Sequence, residues 1–217
     1  MSASGPTEPS EVHRLALWEY YDRRVAERLP DVANAHAYWT GLGVEVAIED
    51  IAAEISQLEQ RLRALPPARF VDVGAGPGTF TGLLPGTGLA IDQSPRALRA
   101  LKVLAPQVPV VRADALHLPL ADRSVRRFFA AHLYGLLLPD EREDLLAEAR
   151  RVSEEVLILD AGRPNGVREA EWQERTLHDG KPYRVFRRHF DAEMLASEVG
   201  GVVLFDGRFY VLVSSTP

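Results

Sequence analysis

The sequence predicts an α/β fold with a doubly wound, Rossmann-like sheet that is mostly parallel. Short apolar runs alternate with helical patterns, the first run ends in a cluster of glycines, and the next two end in carboxylates. Strands separated by helices are joined by right-handed crossovers, so they lie parallel with helices on both faces of the sheet. We expect seven strands, the last of them antiparallel, and an N-terminal helical cap.

Apolar runs and helical patterns give the predicted elements of the core. The strands are predicted near residues 69–73, 89–92, 108–112, 125–131 and 156–160, and the helices near 79–84, 94–104, 140–152 and 191–199. Further strands are predicted at 183–190, 202–205 and 208–214, and the last two should form an antiparallel hairpin. Gly200 and Gly201 predict a turn rather than a phosphate cradle, because no helix starts after these glycines.

The segment before the first strand predicts two helices. A helical pattern over residues 10–29 ends at Pro30, since proline cannot continue a helix. Residues 31–43 predict a loop with about one turn of helix. From Val44 to Leu65, apolar residues recur at steps of three and four, which predicts the longest helix of the chain.

Composition divides the chain into three parts. Residues 1–9 contain small residues and two prolines, which predicts a disordered tail. Residues 10–43 are expected to form a helical cap or lid. Residues 44–217 are expected to form one catalytic domain.

Bulk properties exclude several classes of function. The chain has 217 residues, a formal charge of −6 and no cysteine. The absence of cysteine excludes disulfides, thiolate metal sites and a cysteine nucleophile. The acidic balance gives no electrostatic footprint for nucleic acid. Without a long apolar run or an export signal, we expect a cytoplasmic protein that does not contact membranes.

A glycine loop follows the first predicted strand. Gly74, Gly76 and Gly78 come directly after the strand, and Asp72 lies two positions before the first of them. Glycine lets the backbone approach a ligand more closely than any Cβ would allow, so this loop can cradle a nucleotide-like molecule. A lone cluster of glycines also fits an ordinary turn, so the loop alone does not settle the ligand.

Two acids at the next strand ends support the same site. Asp92 lies twenty residues after Asp72, where a carboxylate can accept both hydroxyls of a ribose. Asp114, followed by Ala115, ends the third apolar run. Because parallel strands end at one edge of the sheet, the glycines and these acids should converge there.

These motifs resemble those of the class I S-adenosylmethionine-dependent methyltransferases, in the style of their small-molecule branch. The resemblance implies S-adenosylmethionine as the cofactor. The residues it assigns to cofactor binding are Asp72, Gly74, Ala75, Gly76, Gly78, Asp92, Gln93, Asp114, Ala115 and His132. A nicotinamide-binding domain would instead favour Gly-x-Gly-x-x-Gly, whereas here the third glycine comes one residue early and Pro77 stiffens the loop.

Candidates for catalysis lie after the fourth strand and in the cap. His132 can act as a general base on a hydroxyl acceptor or simply line the pocket. Tyr134 follows it and is expected to contact substrate. Tyr20 and Tyr21 either pack in the core or close over the acceptor as part of a lid, and we expect Tyr20 to bind substrate and Tyr21 to take part in catalysis.

Arginines gather after the fifth strand. Arg163, Arg175 and Arg184 are expected to bind an anionic acceptor, because guanidinium groups suit carboxylate and phosphonate. A solvated basic face is the alternative for each of them. The run from Arg175 to Gly180 resembles the acceptor-side segment of a branch of small bacterial methyltransferases that includes the phosphonate O-methyltransferase of the dehydrophos pathway. Asp179 and Gly180 by themselves predict a hairpin turn.

The resemblance implies methyl transfer from S-adenosylmethionine to a small molecule, with an oxygen of an anionic metabolite favoured. Two other functions stay open: a cofactor-binding regulatory or assembly protein without transferase activity, and an RNA or protein methyltransferase. No histidines and carboxylates show metal-ligand spacing, so no metal is expected. The oligomeric state is not predicted.

Overall fold

A computed structural model describes residues 10–27 and 31–216. The predicted tail at 1–9, and the end of the first predicted helix at 28–30, lie outside the described residues. The strands of the main sheet are β1 (Ala68–Val73), β2 (Gly86–Asp92), β3 (Val110–Arg112), β4 (Val125–Ala131), β5 (Ser153–Ala161), β8 (Val202–Asp206) and β9 (Tyr210–Ser215). A separate hairpin consists of β6 (Ala170–Thr176) and β7 (Pro182–Arg188).

The main sheet has the order β3-β2-β1-β4-β5-β9-β8. Strands β1 to β5 pair in parallel, and β9 runs antiparallel to both β5 and β8. The predicted Rossmann-like fold with seven strands and an antiparallel last strand is confirmed. The strand order reverses between β1 and β4, where folds of this kind open a crevice for a ligand.

Helices cover both faces of the sheet. They are α1 (Ser10–Arg24), α2 (Asp31–Gly41), α3 (Ile48–Arg63), α4 (Pro95–Leu104), α5 (Pro139–Val152) and α6 (Ala192–Val199). Buried side chains form two large clusters, one on each side of the sheet, with Phe128 in one and Phe129 in the other. This alternation along β4 is expected of a strand whose two faces are both covered.

The loop predicted for residues 31–43 is wrong, because α2 occupies most of this range. Ala35 and Trp39 lie one turn apart on α2 and are buried, and both belong to the same apolar cluster as Ile51 of α3. A short helix of this kind is stabilised mainly by packing rather than by local propensity. The aromatic residues of this segment are therefore the packing face of a helix.

The helix predicted near residues 79–84 is also wrong. A single 3₁₀ turn over Thr81–Leu83 takes its place. Gly78 has a φ of 91°, and Pro85 follows closely, so the backbone has no room to extend into a regular helix. Thr81 instead donates its hydroxyl to Asp72, which fixes the turn under the glycine loop.

The hairpin of β6 and β7 lies outside the main sheet. Strand β6 was not predicted, because its residues are mostly polar and form no apolar run. The turn predicted at Asp179 and Gly180 is confirmed: Gly180 has a φ of 82° and donates its N–H to the carbonyl of Leu177 at 2.8 Å. The turn predicted at Gly200 and Gly201 is likewise confirmed, since Gly200 ends α6 with a φ of 72°.

Helix α1 lies against β7 and the start of α4. His13 is buried and its Nε2 lies 3.1 Å from the carbonyl oxygen of Leu136, while the ring centroids of Tyr20 and Tyr183 lie 5.4 Å apart with the rings tilted. No helix within residues 10–27 and 31–216 combines the length and the apolar character that crossing a membrane requires.

Candidate cofactor and acceptor site

A cavity of about 360 Å³ opens at the carboxyl ends of the parallel strands. Its walls come from the loops after β1, β2, β3 and β4, from α1 and α2, and from two arginines of the hairpin. This volume lies within the range typical of small-molecule sites, about 300–1,000 Å³. The cavity is thus where a fold of this topology places a ligand.

Each glycine of the loop after β1 has a positive φ, but for different packing reasons. The φ values are 68° at Gly74, 55° at Gly76 and 91° at Gly78. A Cβ at Gly74 would come within 2.9 Å of Leu133, and one at Gly78 within 2.8 Å of Leu101. A Cβ at Gly76 would meet nothing within 4 Å, and this residue lines the cavity. Gly76 therefore keeps space open for a ligand, whereas Gly74 and Gly78 keep the loop packed on its neighbours.

Asp72 lines the cavity from the end of β1, although the residue is only 2% exposed. Its Oδ2 accepts a hydrogen bond from the hydroxyl of Thr81 at 2.6 Å. Its Oδ1 is buried and has no hydrogen-bond partner among the described residues. Burial raises the pKa of Asp72 to about 7. A cationic or hydrogen-donating ligand would relieve both the orphaned oxygen and the cost of the buried charge.

Asp92 is held rigidly at the end of β2. Its Oδ2 accepts from the N–H of Gly76 at 2.8 Å and its Oδ1 from the N–H of Ser94 at 2.7 Å. Burial raises the pKa of Asp92. Each carboxylate oxygen can accept a second hydrogen bond, so Asp92 can receive two hydroxyl groups of a ligand from the cavity side.

Asp114 and Ala115 line the cavity from the end of β3. The Oδ1 of Asp114 accepts from the N–H of Leu116 at 3.0 Å, and its Oδ2 pairs with Arg14 of α1. The carboxylate is therefore oriented by one bond to its own loop and one ion pair to the cap.

Three residues of α1 bond the loops at this end of the cavity, and none of them was predicted from the sequence. Arg14 pairs with Asp114, and the indole N–H of Trp18 donates to the carbonyl of Gln93 at 3.2 Å. Asp22 accepts from the hydroxyl of Ser94 at 2.5 Å. Their spacing of four residues places them on one face of the helix, a signal that a search for apolar spacing alone overlooks.

His132 lines the cavity after β4 with a left-handed backbone, at a φ of 56°. Its Nδ1 lies 3.8 Å from the Oδ1 of Asp160, and its ring centroid is 5.8 Å from that of Phe80 and 5.5 Å from that of Tyr210. A non-glycine residue with positive φ stores strain, which is common at functional sites. The structure therefore places the predicted base in the cavity, beside a carboxylate.

Asp160 is the carboxylate behind His132, and it is fully buried at the end of β5. It accepts hydrogen bonds from Arg187 at 2.7 Å and from the N–H groups of Gly135 and Ala161, both at 2.8 Å. Burial acts to raise its pKa, but the charge of Arg187, the neighbouring ring of His132 and the hydrogen bond from Gly135 together outweigh burial, and the pKa falls to about 2. Asp160 is therefore a permanent anion next to His132.

Tyr21 and Arg175 meet in the cavity wall. Arg175 donates to the Tyr21 hydroxyl at 3.0 Å and to the Oε1 of Gln173, and its guanidinium carbon lies 5.7 Å from the ring centroids of Tyr20 and Tyr38. Burial acts to raise the pKa of Tyr21, but the charges of Arg175 and two neighbouring arginines outweigh it and leave this pKa below 10.0.

Two further arginines, which were not predicted as site residues, line the cavity. Arg187 lies on β7 and is 5% exposed, and Arg24 lies at the end of α1. Arg24 donates to the side-chain oxygen of Asn34 at 2.8 Å. Together with Arg175, these side chains make the hairpin end of the cavity rich in guanidinium groups.

The structure does not bring four of the predicted substrate residues to the cavity surface. Tyr20 is buried in a small apolar cluster beneath the cap. Tyr134 is buried on the other side and donates its hydroxyl to Glu198 at 2.9 Å. Arg163 pairs with Asp191 and Glu169, and the guanidinium of Arg184 lies 4.7 Å from the ring centroid of Trp172. The substrate roles predicted for Tyr20, Tyr134, Arg163 and Arg184 therefore do not match their positions.

The part of the chain that the structure describes holds no group of three or more histidines, aspartates and glutamates arranged to bind a metal ion.

Residues 71–155 match a family model described as a methyltransferase domain. The chain carries an S-adenosylmethionine-dependent methyltransferase domain. The matched stretch of this domain runs from within β1 to within β5. It therefore includes the glycine loop, Asp92, Asp114 and His132.

One curated relative of the methyltransferase domain is a malonyl-[acyl-carrier protein] O-methyltransferase from Methylococcus capsulatus. It is 42% identical over an alignment of 73 residues that covers 30% of this chain. The chain spans 26% of the length of that relative.

Solved structures share the fold over nearly the whole chain. A complex of DhpI with SAH has a TM-score of 0.69 at 18% identity, covering 96% of this chain and 98% of that chain. A DhpI-SAM-HEP complex has a TM-score of 0.71 at 16% identity, with coverage of 98% and 100%. A 1,6-didemethyltoxoflavin-N1-methyltransferase from Burkholderia thailandensis has a TM-score of 0.61 at 14% identity, with coverage of 99% and 92%. At these identities the likeness establishes the fold.

Alanine at two glycines should separate ligand space from loop packing. Gly76→Ala should weaken binding of S-adenosylhomocysteine at least tenfold, because its methyl group enters the cavity. Gly78→Ala should lower the melting temperature more, because it adds a clash with Leu101 to the left-handed strain of about 1–2 kcal/mol that both variants carry. Titration calorimetry and thermal unfolding measure the two effects, and undiminished binding by Gly76→Ala would contradict the assignment of this space.

Asp72 should make the ligand-free protein less stable as the pH rises. Its folded pKa of about 7 lies above the unfolded value of 3.8, so its stabilising contribution is complete below pH 3.8 and is lost as the pH rises through 7. Asp72→Asn cannot ionise, so its free energy of unfolding relative to wild type should increase between pH 4 and pH 8, by up to about 4 kcal/mol. Urea unfolding at both pH values measures this difference.

The exposed Asp144 on α5 supplies the matched control. Asp144→Asn should show the same stability difference from wild type at both pH values. A pH-independent difference for Asp72→Asn as well would mean that Asp72 is not destabilised by its burial.

Proposed function

We propose that this methyltransferase transfers a methyl group from S-adenosylmethionine to an oxygen of a small anionic molecule. One observation carries the choice of acceptor. Arg175 lies in the cavity wall, and its hydrogen bonds go to the neutral groups of Tyr21 and Gln173. None of the ion pairs among the described residues includes Arg175. A guanidinium held in a wall without a counter-charge favours an anionic ligand.

The other end of the cavity fits the cofactor. Gly76 leaves open space at the loop, Asp92 offers two acceptor oxygens, and Asp72 carries an orphaned buried oxygen that suits a positively charged group. Asp114 and Ala115 would lie beside the adenine ring of the cofactor. When bound, S-adenosylmethionine supplies a methyl group on an already activated sulfonium leaving group, so the protein has mainly to align the acceptor and exclude water.

Arg187 and Arg24 strengthen the positive character of the acceptor end. Arg187 is paired with Asp160, so its charge is partly compensated, and Glu59 of α3 adds one carboxylate to the lining. The proposal therefore depends most on Arg175, which can bind a carboxylate or phosphonate through two parallel N–H donors. Tyr21, whose hydroxyl accepts from Arg175, would orient that guanidinium.

His132 is the proposed general base for a hydroxyl acceptor. It lies in the cavity with Asp160 behind it at 3.8 Å, and the ionised carboxylate would stabilise the imidazolium that forms when the acceptor proton is taken up. The acceptor oxygen would then attack the methyl carbon as the bond from carbon to sulfur breaks. Oxygen is preferred because the curated relative is an O-methyltransferase, while one structural neighbour is named for methylation at N1.

Removing the charge of Arg175 should weaken acceptor binding alone. Arg175→Met should raise the KM for an anionic acceptor about 10- to 150-fold, since a charged hydrogen bond contributes about 1.5–3 kcal/mol. The Kd for S-adenosylhomocysteine should stay unchanged, because the cofactor end does not use this residue. Acceptors of similar size, 3-hydroxypropionate, 2-hydroxyethylphosphonate and the neutral 1,3-propanediol, can be compared by mass spectrometry of the methylated product.

Arg184→Met is the control, because Arg184 lies in the same hairpin but outside the cavity. The KM of the Arg184→Met variant for the anionic acceptor should stay within about twofold of the wild-type KM. Turnover of the neutral diol at a rate that Arg175→Met does not change would refute the anionic acceptor. Cofactor binding without turnover of any acceptor would favour the non-catalytic alternative.

A further inference from the structure

A histidine other than His132 is buried and has both ring nitrogens in hydrogen bonds. His189 is 0% exposed; its Nδ1 lies 3.0 Å from the carbonyl oxygen of Arg168 and its Nε2 lies 2.6 Å from the hydroxyl of Tyr38. A carbonyl oxygen can only accept. The Nδ1 must therefore carry the hydrogen, which leaves Nε2 as an acceptor in the neutral ring.

The tautomer of His189 fixes the direction of the Tyr38 hydroxyl. Because Nε2 accepts, the O–H of Tyr38 must donate to it, and the hydroxyl oxygen keeps only lone pairs for any other partner. Tyr38 also lines the cavity, and its ring lies next to the guanidinium of Arg175. A residue of the cavity wall thus carries an oxygen that can accept a hydrogen bond but cannot donate one.

The surroundings of His189 keep this arrangement neutral. The ring is enclosed by Tyr38 and Trp39 of α2, and its backbone N–H donates to the carbonyl of Glu169 at 2.8 Å. Burial and the nearby charge of Arg187 lower the pKa of His189 to about 4, against the weaker opposite pull of Asp160 and Glu171. The ring therefore stays unprotonated at neutral pH.

We infer that Tyr38 is a specificity-determining residue, selecting acceptor molecules that present a hydrogen-bond donor, such as a hydroxyl group, beside their anionic group. The inference rests on the proposed function for the anionic group, which Arg175 would bind. An anionic or ether oxygen placed against Tyr38 would face lone pairs without a hydrogen to share. A hydroxyl group placed there would donate to Tyr38 and keep its own lone pairs directed elsewhere.

The expected preference follows from the hydrogen-bonding capacity of the Tyr38 oxygen. A site that hydrogen-bonds a substrate hydroxyl rejects the analogue that lacks it, because the polar group of the site is then left without its partner. The guanidinium groups of the wall would therefore bind the anionic group, and the oxygen of Tyr38 would accept a hydrogen bond from the hydroxyl group.

The first test reads the tautomer without any ligand. In protein labelled with ¹⁵N at histidine, the His189 ring nitrogens, identified by their loss in His189→Gln, should show the neutral Nδ1–H pattern from pH 8 down to pH 5. A neutral Nε2–H pattern, or a protonated ring at pH 7, would overturn the inference, because Tyr38 would then be free to donate.

The second test uses two probes that differ only in a hydroxyl group. With S-adenosylhomocysteine present, 2-hydroxyethylphosphonate should bind wild type at least ten times more tightly than ethylphosphonate, as measured by titration calorimetry. Tyr38→Phe should reduce this preference to less than about twofold. Tyr134→Phe is the matched control and should keep it, because Tyr134 bonds Glu198 outside the cavity.

Equal preference in wild type and Tyr38→Phe would overturn the inference even if the tautomer is as expected. Binding of neither phosphonate to wild type would count against the proposed anionic acceptor, and the tautomer measurement would then decide the inference by itself. Circular dichroism of Tyr38→Phe establishes that the variant is folded before its preference is compared.

Discussion

The buried carboxylate of Asp160 is the interaction on which the acceptor half of the molecule depends. It accepts from Arg187 of the hairpin, from the N–H of Gly135 after β4, and from its neighbour Ala161, all within 2.8 Å. Removing one partner of a buried ion pair typically costs about 3–5 kcal/mol, because the remaining charge is left without compensation. Asp160 therefore joins three separate pieces of backbone, and the same anion lies behind His132.

Helix α1 joins the two ends of the cavity in a comparable way. One face of the helix, with Arg14, Trp18 and Asp22, bonds residues at the ends of β2 and β3. Another face bonds the hairpin, where Glu19 accepts from the hydroxyl of Tyr183 at 2.9 Å. Helix α1 therefore contacts both ends of the cavity.

The acidic end of the cavity, which we propose binds the cofactor, could be predicted from the sequence, because strand ends in a parallel sheet share one edge whatever the details of packing. Asp72, Asp92 and Asp114 follow this rule and all line the cavity. The arginines could not be assigned in the same way, because side chains in a strand alternate between two faces. Register decides the face, and register is set by the hairpin, whose first strand has no apolar run.

The strand pairing of the hairpin shows which residues lie on each face. Arg175 is paired with Tyr183 across the two strands, and paired residues lie on the same face. Tyr183, Val185 and Arg187 are the buried positions of β7, so the odd-numbered residues face the cavity side. Arg184 is even-numbered and pairs with Glu174, which places it on the opposite face. A one-residue shift in register would have turned Arg187 away from the cavity side and the even-numbered Arg184 and Arg188 toward it.

Strand order then arranges the charges of the cavity. The acids end β3, β2 and β1 on one side of the reversal point, while the guanidinium groups enter from the hairpin on the other side. His132 follows β4, which pairs with β1, so it lies between the two. The acids would stabilise a cofactor that carries hydroxyl groups and a positive charge. The guanidinium groups at the opposite end would stabilise a negatively charged acceptor. The reacting groups of cofactor and acceptor would meet at the reversal point, beside His132.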